Sequence, residues 1–200
     1  MEPFEAEARA RGFRVIAGLD EAGRGPLAGP VVAAAVVLPA KGKLKGINDS
    51  KKLSAAQREE MFSLLGEKAL AIGVGIVEVE EIDRINILQA SLKAMELAVE
   101  KLPQPPDFLL IDGIQSLCLP LPQQPIPKGD QRCLSIAAAS IVAKVTRDRL
   151  MAAYHDQYPQ YNFAQHKGYG TKEHLQAIQK YGCCPLHRRS FRSIYQLSLL

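Results

Sequence analysis

Between Arg14 and Leu38 the chain passes from one apolar segment to another through Asp20-Glu21-Ala22-Gly23-Arg24-Gly25-Pro26-Leu27-Ala28-Gly29-Pro30, and no other stretch limits the possible folds as strongly. Arg14 to Leu19 and Pro30 to Leu38 read as neighbouring strands, the second a β-branched run with Ala at the close-packed positions. A tight glycine-rich turn joins them. Carboxylates at the end of an apolar strand add nothing to packing, so Asp20 and Glu21 point to chemistry. Adjacent side chains on a regular strand face opposite ways, and both acids reach one site only if the backbone turns at or after Glu21. Gly23 and Gly25 permit that turn. The spacing Gly23-x-Gly25-x-x-Ala28 formally matches a dinucleotide-binding fingerprint, but that motif requires a helix opening at the glycines. Pro26, Pro30 and the strand-like Val31 to Val37 exclude it, and no Gly-Lys-Ser/Thr follows to make a P-loop.

Downstream, Ser54 is a plausible N-cap for a helix to about Leu65, and Ala69 to Val79 reads as a third strand. Ile85, Leu88, Leu92, Met95 and Val99 recur at helical spacing and predict one amphipathic helix from Glu80 to Leu102. Asp107 to Ile111 is a short apolar strand ending in Asp112-Gly113. Pro103 to Pro106 and Pro120 to Pro127 read as proline-rich loops. A long helix is predicted from Cys133 to about Tyr154, with Leu134, Ala138, Ile141 and Val145 on its apolar stripe and Ser140, Lys144 and Arg147 on another, polar face. Thr171 can cap a last helix to about Tyr181. Early strands with helices between and after them indicate a mixed α/β layer architecture.

With 200 residues, 47% of them hydrophobic and 23% charged, the chain can build a real core, which excludes disordered and collagen-like classes. The longest apolar runs, Val31 to Leu38 and Leu134 to Ala143, are too short for a membrane span. The acidic start Met1 to Glu7 lacks the features of a secretory signal, so a cytoplasmic location is expected. Cys118, Cys133, Cys183 and Cys184 show no C-x-x-C spacing and are expected to be free thiols. His155, His166, His174 and His187 lack a metal-site spacing; structural roles are the default, with His166 a candidate proton shuttle. The net charge of +4, from 25 Lys and Arg against 21 Asp and Glu, is compatible with nucleic acid without requiring it.

Two more acids, Asp112 at a strand end and Asp130 after Lys128-Gly129, join Asp20 and Glu21. Any single Asp beside Gly reads as a turn residue or cap. Four such acids together suit hard divalent cations, Mg²⁺ or Mn²⁺, which prefer oxygen ligands. Two such ions roughly 4 Å apart can activate a water and stabilise the leaving oxygen of a phosphoryl displacement. The cations also relieve repulsion among carboxylates that could not otherwise all ionise. Phosphodiester hydrolysis is the expected reaction class.

The segments Asp20 to Pro26, Asn48-Asp49-Ser50-Lys51-Lys52-Leu53, Asp112-Gly113, Lys128-Gly129-Asp130, Ala139 to Lys144 and His166-Lys167-Gly168-Tyr169-Gly170-Thr171 occur in the order found in bacterial ribonuclease HII, which the chain resembles over nearly its whole length. The longer ribonuclease HIII lacks the Gly-Arg-Gly triplet. The resemblance implies a ribonuclease H-like fold, a central mixed β-sheet flanked by helices with a short helical C-terminal segment. Residues 1–200 are expected to form a single catalytic domain whose C-terminal segment, from about 157, is basic. It further implies cleavage of the RNA strand of RNA/DNA hybrids and incision 5′ of single ribonucleotides embedded in duplex DNA, leaving a 3′-hydroxyl and a 5′-phosphate. By position, Asp20, Glu21, Asp112 and Asp130 would be the catalytic metal ligands, holding two Mg²⁺ or Mn²⁺ ions with substrate bound. Gly23, Arg24 and Gly25 would recognise the ribonucleotide, partly through backbone contacts to its 2′-hydroxyl, and Tyr169 would stack on the following sugar.

Asn48, Ser50 and Lys51 match a motif near the substrate, while Ser140, Lys144 and Arg147 are either phosphate contacts or a solvated helix face. The stretch after Gln157, with Glu173 its one acid, is expected along a phosphate backbone. The implied partners are RNA/DNA hybrid and ribonucleotide-containing duplex DNA, bound by a monomer away from any membrane. Two alternatives stand beside this reading. A hybrid-binding protein without catalysis would lack an acid, and all four are present; another nuclease or resolvase on the same fold would not require Gly23-Arg24-Gly25 or Tyr169.

Overall fold

A computed structural model describes residues 2–40 and 53–197. Its centre is a five-stranded sheet of β1 (Ile16–Ala22), β2 (Val31–Val37), β3 (Ala71–Val77), β4 (Phe108–Asp112) and β5 (Gln123–Ile126), ordered β3-β2-β1-β4-β5. The β1–β2 and β2–β3 pairs are antiparallel, whereas β1–β4 and β4–β5 are parallel. This is the mixed sheet expected from the sequence.

Every residue of β2 is buried, as a central strand covered on both faces must be. Its odd positions, including Ala33 and Ala35, pack with Ala94, Met95 and Ala98 of α3 (Val79–Glu100). Its even positions, Ala34 and Val36, pack with Leu65 of α2 (Ala55–Lys68) and with Ala138, Ile141 and Val142 of α5 (Leu134–Gln157). The two-residue period of the strand therefore divides the core into two layers. Gly18 on β1 lets α5 come close, because a Cβ there would run into the backbone of Ser135 and Ile136.

Most strands and helices lie within two or three residues of their predicted bounds. Ser54 caps α2 in a full capping box with Gln57, and the Thr171 side chain accepts from His174 N at the start of the helix Lys172–Tyr181. α3 is not the uninterrupted helix its periodicity predicts. Asn86 has φ 70° and breaks it, and the Asn86 Oδ1 accepts from Leu88 N and Gln89 N to restart the helix. The segment read as a loop from Pro120 to Pro127 contains β5, at the sheet edge where Pro125 is tolerated. The short helices Phe4–Ala10 (α1) and Gly129–Arg132 (α4) were not foreseen, nor were Phe163–His166 (α6) and Arg192–Leu197 (α8), which with Lys172–Tyr181 (α7) are the remaining α-helices among the described residues. Beyond α5, Tyr161, Phe163, Ile178, Cys184 and Ile194 form a further apolar cluster with Leu27, Ala28 and Met151. All four cysteines are free thiols, as expected. No described helix is long and apolar enough to cross a membrane.

Candidate active site

β1 and β4 run parallel, and their last registered pair is Leu19 with Ile111. The next residues along these strands are Asp20 and Asp112, so two carboxylates leave the sheet side by side. They open into a cleft of about 270 Å³ lined also by Glu21, Gly23, Arg24, Gly25, Ser140, Lys144 and Tyr169. β1 stays extended through Ala22 and turns at Gly23, where φ is +99°. Asp20 accordingly faces α5, where Ser140 hydrogen-bonds its carboxylate. Glu21 turns to the other face of the sheet and lines both this cleft and an adjoining hollow walled by Leu88, Met95 and Lys128.

The acids are electrostatically crowded. Asp20 is 5% exposed, and burial, reinforced by Glu21 and Asp112, holds its carboxyl well above the usual range. Glu21 is also pushed up, chiefly by burial, against the pull of Arg24, whose Nη1 lies 3.3 Å from Glu21 Oε1. Asp112 Oδ1 accepts from Gly129 N at 2.6 Å and Asp130 N at 3.4 Å, which ties β4 to α4. Asp130 itself is buried and is not among the residues lining the cleft. Among the described residues no three His, Cys, Asp or Glu side chains already stand in an ion-holding arrangement. The donor set of Asp20, Glu21 and Asp112 nevertheless fits a hard divalent cation: it is all oxygen, and its members resist ionising together unless positive charge joins them.

Three expectations need correction. Arg147 does not lie on a solvated helix face, although it borders the cleft. It is 1% exposed, and its guanidinium donates to Pro30 O, Lys167 O and Ala28 O, each at 3.0 Å. Its place on α5 turns inward because the 23–30 turn and the Lys167 segment present carbonyls that only a long forked donor can reach together. Arg188, in the stretch expected to follow a phosphate backbone, is also fully buried. His166 is no free shuttle, since its Nε2 meets Tyr161 O at 2.6 Å and its Nδ1 accepts from Gly168 N at 3.2 Å.

Lys144 stays at the cleft and pairs with Asp148 Oδ1 at 2.6 Å. Arg58 on α2 also lines the cleft, a position that sequence reasoning passed over because one arginine on a polar helix carries no signal. Tyr169 is 46% exposed, and its backbone carbonyl meets His174 Nδ1 at 2.9 Å. The two glycines of the triplet differ. A Cβ on Gly23 would strike the Arg147 side chain, whereas one on Gly25 would meet only Tyr169 Cε1, at 3.5 Å, from the cleft side. Asn48, Ser50 and Lys51 lie outside the described residues.

A family model described as Ribonuclease HII matches residues 17–194. A protein named Ribonuclease HII from Geobacter sulfurreducens is 60% identical over 191 residues, which cover 96% of this chain and 88% of that protein. The crystal structure of ribonuclease H2 from Pyrococcus horikoshii superposes with a TM-score of 0.78 at 27% identity, covering 93% of this chain and 98% of that one. Bst-RNase HIII in complex with Mn²⁺ shares the fold with a TM-score of 0.70 at 17% identity, over 92% of this chain and 69% of that one.

Proposed function

Given that the chain belongs to the ribonuclease HII family and is a ribonuclease H, we propose that its cleft hydrolyses the RNA strand of RNA/DNA hybrids and incises duplex DNA on the 5′ side of an embedded ribonucleotide. The observation that carries this reading is the convergence of Asp20, Glu21 and Asp112 beneath Gly23-Arg24-Gly25 and Tyr169 in one cleft. The acids face the position of a scissile phosphate while the triplet and the ring face the sugars.

Asp20, Glu21 and Asp112 would hold divalent cations, Mg²⁺ or Mn²⁺, with Asp130 completing the set beside Asp112. The complex of Bst-RNase HIII with Mn²⁺ supports that choice of ion. Bound there, such ions supply water activation and leaving-oxygen stabilisation. Ser140 orients the Asp20 carboxylate by its hydrogen bond. Lys144, Arg24 and Arg58 place positive charge around the cleft, where it draws in a phosphate backbone without reading its sequence. Tyr169, half exposed and facing Gly25, offers a flat surface for the sugar that follows the ribonucleotide. Gly25 leaves its backbone open to the sugar, and the 2′-hydroxyl is what distinguishes RNA from DNA there.

The test is a DNA duplex bearing one ribonucleotide, incubated with the protein and Mg²⁺ or Mn²⁺. The expected product is a nick on the 5′ side of the ribonucleotide with a 3′-hydroxyl end. Asp20→Asn and Asp112→Asn should abolish the nick while duplex binding persists. An intact duplex with both metals would refute the proposal, and full activity in Asp130→Asn would remove that residue from the ligand set.

A further inference from the structure

Arg188 lies behind the triplet, fully buried, where residues 186–188 pair with 27–29: Arg188 N donates to Leu27 O at 2.9 Å and Gly29 N to Leu186 O at 2.8 Å. Its guanidinium makes five hydrogen bonds to four carbonyls of one turn. Nη2 donates to Gly23 O at 2.6 Å and Gly29 O at 2.7 Å, Nη1 to Pro26 O at 2.8 Å and Arg24 O at 3.2 Å, and Nε to Gly29 O at 2.9 Å. Among the described residues it has no salt bridge. A buried guanidinium without a carboxylate is costly, and packing alone would be served as well by an apolar side chain.

The carbonyls it gathers fix the opposite side of the turn. In a planar trans peptide the N–H of residue i+1 points away from the C=O of residue i. Four peptide units are gripped, so four following positions are oriented. Position 30 is Pro, with no N–H. Leu27 N, turned away by the grip on Pro26 O, finds Gly168 O at 2.8 Å, in the segment that carries Tyr169. This contact shows that the outward side of the turn is the Tyr169 side. The N–H groups of Arg24 and Gly25 remain, turned away from Arg188 by its grip on Gly23 O and Arg24 O, without an acceptor among the described residues, in a stretch that lines the cleft. Successive backbone donors of this kind form a concavity for an electron-rich oxygen.

We propose that Arg188 is a specificity-determining positioning residue: by collecting the carbonyls of Gly23, Arg24, Pro26 and Gly29 it aims the N–H groups of Arg24 and Gly25 at the 2′-hydroxyl oxygen of the ribonucleotide. This rests on the function proposed above and names what enforces its selectivity. The planar fork is essential, because a lysine at the same depth keeps the charge but cannot hold four carbonyls in one fan. Arg188 touches no substrate; its effect passes through two peptide planes.

The test compares wild type with Arg188→Lys in binding two duplexes identical except for one ribonucleotide, by fluorescence anisotropy in Ca²⁺, with intact substrate verified on a gel. The ratio of the two dissociation constants reports selectivity. In Arg188→Lys it should fall about tenfold, the worth of one or two hydrogen bonds, while affinity for the all-DNA duplex stays within about twofold. A merely structural role would reduce the folded fraction and weaken both affinities equally, leaving the ratio unchanged. That result overturns the proposal. Should Arg188→Lys fail to fold, amide exchange on wild type decides: the Arg24 and Gly25 amides should be protected by the ribonucleotide duplex and not by the all-DNA duplex, and absence of that difference overturns it. A wild-type protein that binds both duplexes equally would instead refute the function on which the proposal rests.

Discussion

Lowering the pH from 7 to 5 should destabilise the fold through His174 and His187, two buried rings whose hydrogen bonds admit only one arrangement of protons. His174 Nδ1 faces Tyr169 O at 2.9 Å and must donate, so its Nε2 is a lone pair that accepts from His187 Nε2 at 3.1 Å. His187 Nδ1 is then a lone pair accepting from Cys184 N at 3.0 Å. A further proton on His174 would set two N–H groups against each other. Burial, the largest cause in each case, lowers both rings to about 4 from 6.5, and His166, stacked on His174 at 4.4 Å, adds to the effect on both. The unfolded chain binds protons below pH 6.5 that the folded one refuses until about pH 4, so this stability is present above 6.5 and lost as pH falls through that window. Each ring alone corresponds to roughly 2 kcal/mol between pH 7 and 5. Because the two share a hydrogen bond, about 2–4 kcal/mol is expected for the pair. Urea unfolding of wild type and His174→Asn at both pH values checks this, since Asn keeps a donor near Nδ1 but cannot titrate. The variant should lose less stability than wild type on acidification, by roughly 2 kcal/mol. Equal losses in the two proteins would refute the reasoning, because His174 is the titrating ring that the variant removes.

The two glycines of the triplet should separate cleanly. Gly23→Ala forces a side chain onto a residue at φ +99° and into Arg147, and should cost about 2–5 kcal/mol in urea unfolding. Gly25→Ala should unfold within about 0.5 kcal/mol of wild type yet lose kcat/KM on a single-ribonucleotide duplex, since its Cβ would enter the space facing Tyr169. Arg147→Lys should lower stability by about 2–4 kcal/mol, because one ammonium cannot serve three carbonyls from two segments; an unchanged unfolding midpoint would contradict that. Lys144→Ala should leave stability nearly unchanged, as its partly exposed pair with Asp148 contributes little, while duplex binding weakens and its salt dependence becomes shallower by about one ion.

The acids at strand ends were legible because a carboxylate has no packing reason to follow Ile16 to Leu19 or Phe108 to Ile111, and two-residue alternation makes such exceptions visible. The break at Asn86 was not legible. Its apolar neighbours keep helical spacing on both sides, so the pattern is indifferent to one left-handed residue that recaps the helix. β5 was hidden for a related reason: Pro125 demotes a strand, and only its place at the sheet edge beside β4 makes it admissible. The inward turn of Arg147 escaped the sequence because its partners are backbone carbonyls 117 and 119 residues away, which leave no trace in side-chain identity. Gly23 was read both as a turn glycine and as a substrate contact; its positive φ bears out the turn, and the Arg147 side chain adds a packing reason that left no trace in the sequence.

The net charge of +4 can therefore be divided by position. Arg147 and Arg188 contribute two buried positive charges, yet neither is paired with a carboxylate among the described residues, and both hold the turn that faces the cleft. Burial and, for Arg188, the neighbouring Arg147 lower their pKa values only to about 10 and 9, so both stay charged at neutral pH. Their field reaches the cleft through the turn they hold, where solvent screens it less than it screens a surface lysine. Carboxylates in front and guanidinium groups behind give the cleft a polarity across one loop. A phosphodiester placed between them would meet backbone donors and distant positive charge on one side, and on the other the acids that require cations of their own.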